Sequence, residues 1–153
     1  MARYLMHVRT PKSPAEAFAY MADLNNFAEW DPGVARVKQV KGEGGGPDAS
    51  FDVDVKAFGR SITLRYDTIT YDAPNTVVAF ADGRLLTSRD SITVKADASG
   101  SGSIVTYDAV LKLKGPLALA DPLLGRSFKQ IGDRAAVGLV AALAGERVLE
   151  DTK

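Results

Sequence analysis

The sequence has no cysteine, and this absence excludes several kinds of chemistry. Among its 153 residues it also has a single histidine, His7. This chain alone therefore cannot build a disulfide, a thiol nucleophile, a zinc cluster or an iron–sulfur site. We expect neither a metal site nor a cofactor.

An excess of charge and a long apolar run are also missing. Nineteen Lys and Arg balance nineteen Asp and Glu, so the basic footprint that nucleic acid requires is absent and we expect no nucleic-acid partner. The longest apolar stretch covers about ten residues where a membrane span needs about twenty, so we expect no stable membrane insertion. The first residues carry charge and do not resemble a signal peptide, which predicts a cytoplasmic protein.

The composition is that of an ordinary globular protein. Hydrophobic residues make up 46% of the chain and charged residues 25%, which argues against disorder and fibrous repeats. We expect one domain over residues 1–153, because the length matches the commonest domain size. The oligomeric state is left open.

Periodicity predicts an α+β fold. Residues 2–10 alternate as a strand, Ser13 and Glu16 form a capping box around Pro14, and two short helical pieces follow. Asp121 is the expected N-cap of a long last helix, at residues 122 to about 148. Between these helices the period is two, and turn chemistry separates six further strands at residues 34–40, 50–58, 61–71, 76–81, 85–96 and 103–114.

This order of elements predicts a cavity. Seven antiparallel strands must bury one apolar face, and the last helix is the large apolar partner that the chain offers. A strongly twisted sheet of this size curls, and a single helix cannot fill its concave side. An internal space between the sheet and the last helix is therefore expected.

Three stretches carry a specific resemblance. Residues 13–23 read SPAEAFAYMAD, residues 25–34 read NNFAEWDPGV, and residues 100–107 read GSGSIVTY before the last long strand. These motifs resemble the START/Bet v 1-like (SRPBCC) superfamily, nearest its polyketide cyclase/dehydrase group, and the resemblance covers essentially the whole chain. It implies the helix-grip fold, in which a seven-stranded sheet wraps a long C-terminal helix around a hydrophobic ligand cavity.

Inward positions of the predicted strands and helices supply the candidate binding residues. Trp30 would either close over a ligand at the rim or plug the end of the core. We predict that the ligand contacts residues of this inward set: Trp30, Phe51, Val53, Val55, Leu64, Tyr66, Tyr107 and Phe128.

Candidates for catalysis are few. Tyr66 and Tyr107 fall on apolar faces, where a phenol would orient a ligand oxygen or bond to the backbone as a core residue. Asp90 shares the parity of inward residues, and a buried carboxyl would be a candidate acid or base. We expect a bulge or an edge position to keep it in water. His7, Asp52 and Asp54 alternate with apolar residues and are expected to face outward.

Three functions remain in competition. The first is a carrier that binds a small hydrophobic molecule, whether lipid, polyketide-like or aromatic, in the cavity. The second is a cyclase/aromatase- or hydrolase-type enzyme acting in the same cavity through Tyr66, Tyr107 or Asp90. The third, an interaction module, would need an exposed apolar or basic patch that the sequence does not indicate. We favour the first, and whether the protein is an enzyme stays undecided.

Overall fold

The computed structural model describes residues 1–57 and 59–149. Its strands are β1 (Ala2–Thr10), β2 (Val34–Lys41), β3 (Ser50–Ala57), β4 (Arg60–Asp72), β5 (Thr76–Asp82), β6 (Leu86–Ala96), β7 (Ser103–Leu113) and β8 (Glu146–Val148). Its α-helices are α1 (Pro14–Ala22), α2 (Phe27–Trp30) and α3 (Asp121–Ala142), with 3-10 turns at Leu24–Asn26 and Gly115–Ala120. The predicted end of β3 at Phe58 lies outside the described residues.

All the strands belong to one antiparallel sheet in the order β2-β3-β4-β5-β6-β7-β1-β8. Strands β2 to β7 form a meander of consecutive hairpins, and β1 pairs with β7 along its whole length. Helix α3 packs against β1 and α2, and α1 packs against β6. The predicted α+β helix-grip architecture is confirmed.

The strand count differs from the prediction, because the described part of the chain has eight strands and not seven. The last helix was expected to continue to about Val148, but α3 ends at Ala142. Ala144 there adopts a left-handed conformation with φ of 50°, and the N–H of Gly145 donates to the carbonyl of Val140 at 2.9 Å. This is the Schellman pattern that terminates helices. The chain then turns back to pair with β1 as β8.

The start of α3 also differs from the prediction. Asp121 was expected to cap the helix, but Ala120 occupies the N-cap position and Asp121 is the first helical residue. The 3-10 turn before the helix displaces the boundary by one residue, and the Asp121 carboxylate accepts a hydrogen bond from the Leu113 N–H at 3.4 Å.

Two glycines allow α3 to approach its neighbours closely. A Cβ added at Gly132 would lie 2.3 Å from the Tyr4 ring, and one at Gly138 would lie 1.9 Å from the carbonyl oxygen of Trp30. Both distances are far below van der Waals contact, so close packing accounts for these glycines. The second half of α3 holds all of its buried residues, whereas the first half is more exposed and borders open space.

The outer face of the sheet is charged, as the alternation predicts. Asp52 pairs with Arg65 across β3 and β4, and Asp54 accepts a hydrogen bond from Thr63 at 2.6 Å. His7 also lies on this face, with Nδ1 2.8 Å from the Thr106 hydroxyl. These residues therefore take no part in the interior described next.

Candidate functional site

A pocket of about 440 Å³ lies between the sheet and the first half of α3. Its size falls within the range of about 300–1,000 Å³ that is typical of small-molecule sites. Most of its wall is apolar. The apolar side chains include Val55, Leu64, Leu86, Ala109, Leu111 and Leu113 from the strands, and Ala120, Leu123, Leu124, Phe128 and Ile131 from the α3 side.

Five residues give the pocket one polar region, which we call the polar patch: Asp31, Tyr66, Ser88, Asp90 and Tyr107. At its centre, the Tyr107 hydroxyl donates to Asp90 Oδ2 at 2.8 Å, and the Ser88 hydroxyl donates to Asp90 Oδ1 at 3.3 Å. Tyr107 lies opposite Ile92 in the register of β6 and β7, so its ring reaches diagonally toward Asp90. Neutral hydroxyls thus hold both carboxyl oxygens.

Asp90 corrects an expectation from the sequence. Neither an edge nor a bulge keeps it in water, because β6 lies between β5 and β7 in regular register and Asp90 is only 4% exposed. Burial raises the pKa of this carboxyl to about 7, with a smaller contribution from the charge of Asp31. The hydrogen bonds from Tyr107 and Ser88 act in the opposite direction on this pKa, and burial prevails.

Asp31 is the member of the polar patch that sequence reasoning missed. It follows α2, and its Oδ1 accepts a hydrogen bond from the Gly33 N–H at 2.8 Å. Partial burial raises the pKa of Asp31 to about 6, although the Gly33 hydrogen bond lowers it. In the sequence, Asp31-Pro32-Gly33 indicates only a turn. One signal in the sequence could have revealed Asp31: it directly follows the apolar residues of α2, so its side chain begins where the core ends.

The two tyrosines of the polar patch are fully enclosed side chains. Tyr66 is 4% exposed and Tyr107 is 6% exposed. Burial and the nearby Asp90 charge raise the pKa of both phenols well above the usual value. Both therefore stay protonated, and each can donate a hydrogen bond. The nearby Ser88 hydroxyl partly offsets the rise in the pKa of Tyr66.

The structure brings five of the eight predicted binding residues to the pocket wall: Val55, Leu64, Tyr66, Tyr107 and Phe128. Trp30 lies behind them. Its ring stacks on Phe27 at a centroid distance of 4.9 Å, meets Tyr107 edge-on at 5.3 Å, and borders a separate void of about 10 Å³. Phe51 and Val53 are fully buried in the core and lie outside the pocket wall.

Basic residues are scarce at this site. Among the described residues of the wall, Lys56 is the one with a cationic side chain, and its exposed Nζ donates to the carbonyl of Pro32 at 3.3 Å. In residues 1–57 and 59–149, no three His, Asp or Glu side chains converge as metal ligands would. None of the helices in the described ranges is both long enough and apolar enough to cross a membrane.

Comparisons with solved structures show the same fold elsewhere. A START superfamily protein from Mycobacterium smegmatis has a TM-score of 0.71 at 11% identity, over 94% of this chain and 98% of that one. Protein TTHA0849 from Thermus thermophilus has a TM-score of 0.73 at 16% identity, over 94% and 96%. The di-domain ARO/CYC StfQ from the steffimycin biosynthetic pathway has a TM-score of 0.63 at 17% identity, over 94% and 50%. At these identities the likeness shows the fold alone.

Sequence comparison assigns the family. No curated protein sequence matches the chain significantly. The family model described as "Polyketide cyclase / dehydrase and lipid transport" matches residues 1–144. This match confirms the resemblance noted in residues 13–34 and 100–107. The chain belongs to the polyketide cyclase/dehydrase and lipid transport family.

Proposed function

We propose that the protein binds a small hydrophobic molecule, of lipid, polyketide-like or aromatic type, in the pocket between the sheet and α3. The observation that carries this proposal is the pocket itself, about 440 Å³ of space with a mainly apolar wall and one polar patch. Burial of an apolar ligand body supplies affinity, and a few fixed polar groups set its orientation.

The position of the glycines on α3 supports the same proposal. Gly132 and Gly138 allow the second half of the helix to pack tightly, whereas a Cβ at Gly125 in the first half meets nothing within 4 Å. Helix α3 therefore seals one end of the concave sheet and leaves the other end unfilled. An unfilled space of this size forgoes packing contacts that would stabilise the fold. A bound ligand would supply such contacts in their place.

Binding is testable with N-phenyl-1-naphthylamine, an uncharged probe whose fluorescence rises in apolar surroundings. We expect saturable binding of one probe per chain. Ser127 lines the pocket from an exposed position on α3, so Ser127→Trp should place an indole in the opening and weaken binding at least tenfold. Gln130→Trp is the matched control, because Gln130 is also exposed on α3 but lies outside the pocket wall. Absence of saturation, or equal weakening by both variants, would count against the proposal.

A second function, general acid–base catalysis, is favoured by one specific observation. Asp31 and Asp90 face one pocket, with pKa values raised to about 6 and about 7. A general acid or base transfers protons most effectively when its pKa lies near the working pH, and these values lie near neutral pH. In this scheme ionised Asp31 removes a proton next to a carbonyl group. Protonated Asp90 would stabilise the developing enolate oxygen by a hydrogen bond, while the Tyr107 hydroxyl holds the Asp90 carboxyl in place.

This second function can be tested by deuterium exchange. The protein should accelerate deuterium incorporation into 2-tetralone in D₂O, followed by proton NMR, and Asp31→Asn should abolish the acceleration. Asp54→Asn, on the outer face of the sheet, should retain it. A wild-type protein that is no faster than Asp31→Asn would remove this function without affecting the binding proposal.

A further inference from the structure

The carboxylates of this protein differ in whether a cationic side chain pairs with them. Asp97 is buried, and Arg9 Nε lies 3.0 Å from its Oδ2. Asp133 is met by Lys129 at 2.9 Å and by Arg147 at 3.4 Å. On the outer face of the sheet, aspartates likewise pair with arginines. Where these carboxylates lose water, a cationic side chain compensates the charge.

The polar patch departs from this pattern. Within the described residues, no ion pair involves Asp90 or Asp31, and the side-chain donors to Asp90 are the neutral hydroxyls of Tyr107 and Ser88. The side-chain oxygen of Asp31 receives its hydrogen bond from the neutral backbone N–H of Gly33. Lys56, the cationic side chain of the described pocket wall, is directed to the carbonyl of Pro32. Two acidic groups thus share one apolar pocket without a cation of their own.

Resting on the proposed binding function, we infer that the ligand supplies this missing cation. Its polar end is a protonated amine that Asp90 and Asp31 hold, while an uncharged apolar body fills the space toward Leu124 and Phe128. Each oxygen of Asp90 already accepts one hydroxyl, and a carboxylate oxygen has room for a further donor. An ammonium group carries three donors and can therefore bond to carboxylate oxygens of the polar patch without displacing Tyr107 or Ser88.

The same arrangement disfavours anionic ligands. A carboxylate or phosphate placed at the polar patch would face two like charges in a pocket where water screens them poorly. Lys56, in the same wall, directs its exposed ammonium to the carbonyl of Pro32 and forms no ion pair with either aspartate. The pocket is therefore selective for amines over fatty-acid-like or phosphate-bearing molecules of the same size.

Three probes separate the inference from the proposal on which it rests. They share a naphthalene ring and a two-carbon arm and differ in its polar end: 2-(1-naphthyl)ethylamine, 2-(1-naphthyl)ethanol and 1-naphthylacetate. Calorimetric titration at pH 8 should give the tightest binding for the amine, at least tenfold tighter than for the acetate, with the alcohol between them. Asp90→Asn should remove most of this difference. Asp54→Asn, which removes a carboxylate on the outer face, should leave it intact.

The pH adds an independent readout. The groups that face the site are Asp31, Asp90, Tyr66, Tyr107 and Lys56. Lowering the pH from 8 to 5 protonates the two aspartates, while an alkyl amine stays charged. Between pH 8 and pH 5 the affinity of the pocket for the amine should therefore fall, whereas its affinity for the alcohol should stay the same.

Equal affinity for the three probes, or a preference for the acetate, would overturn the inference and leave the binding proposal standing. Failure of all three probes to bind would remove the binding proposal and the inference with it. A preference for the amine that persists in an Asp31→Asn/Asp90→Asn double variant would also overturn the inference, since the charge would then have another source.

Discussion

The Tyr107 hydroxyl lies 2.8 Å from Asp90 Oδ2 and donates a hydrogen bond to it in the buried pocket between the sheet and α3. This bond favours the ionised carboxyl and lowers its pKa against the larger effect of burial. The pair therefore sets the charge of the polar patch near neutral pH.

Removing this hydroxyl should make the carboxyl harder to ionise. In Tyr107→Phe we expect the pKa of Asp90 to rise from about 7 by roughly one further unit, since a hydrogen bond to a charged group is worth about 1.5 kcal/mol or more. Carbon NMR of the side-chain carboxyl measures the titration. Tyr20→Phe, which breaks a hydrogen bond to Glu29 near the surface, should leave it unchanged. A falling pKa in Tyr107→Phe would contradict the assignment.

The buried carboxyl should also cost stability at high pH. Because the pKa of Asp90 is raised in the folded state, the unfolded chain releases this proton near pH 4 and the folded chain only near pH 7. Stability is therefore lost as the pH rises through this range. Asp90→Asn removes the effect, so the stability of the variant relative to wild type should increase by about 2–3 kcal/mol between pH 5 and pH 8.5.

Urea denaturation at the two pH values measures this change. Asp97→Asn is the control of opposite kind, because the Ser99 N–H and Arg9 lower the pKa of Asp97 in the folded state. The stability that its carboxylate contributes is complete above the pKa of the unfolded chain and is lost only at lower pH. The relative stability of Asp97→Asn should thus be the same at pH 5 and pH 8.5. A similar change in both variants would refute the account of Asp90.

The glycines of α3 offer a matched pair of substitutions. A Cβ at Gly138 would meet the carbonyl oxygen of Trp30 at 1.9 Å, so Gly138→Ala must push α2 away and should cost at least about 2 kcal/mol. Gly125→Ala meets nothing within 4 Å and should stabilise the helix by up to about 1 kcal/mol. Thermal unfolding compares them. Equal effects of the two substitutions would show that the two halves of α3 are packed alike.

The sequence predicted the fold through local signals that agree with one another. Ser13 caps α1 as expected, with the Glu16 N–H donating to its hydroxyl at 3.2 Å, and the alternation of β3 places Phe51 and Val53 inward. Strand β8 was missed because the helix stop depends on an unusual residue. Ala144, and not a glycine, takes the left-handed position, so the expected marker is displaced to Gly145.

The polar patch was only partly predictable, because its burial depends on contacts between different elements of the fold. The parity of Asp90 indicated an inward side chain, but its burial depends on β6 being paired on both sides, with β5 and β7, and on α1 packing against β6. These are tertiary contacts, and the alternation of a single strand does not contain them. Asp31 was missed for another reason. In the sequence, its turn with Gly33 is a sufficient explanation for an aspartate at this position, and only the tertiary fold shows that Asp31 lines the same pocket as Asp90.

The most direct test of the central claim is to locate a bound probe. Isotope-filtered NOE measurements on the protein saturated with 2-(1-naphthyl)ethanol report which methyl groups touch the naphthalene ring. We predict contacts to the pocket residues Leu64, Leu86 and Leu124. Contacts confined to exposed methyl groups such as those of Ile69 or Val137, which lie outside the pocket wall, would contradict the account.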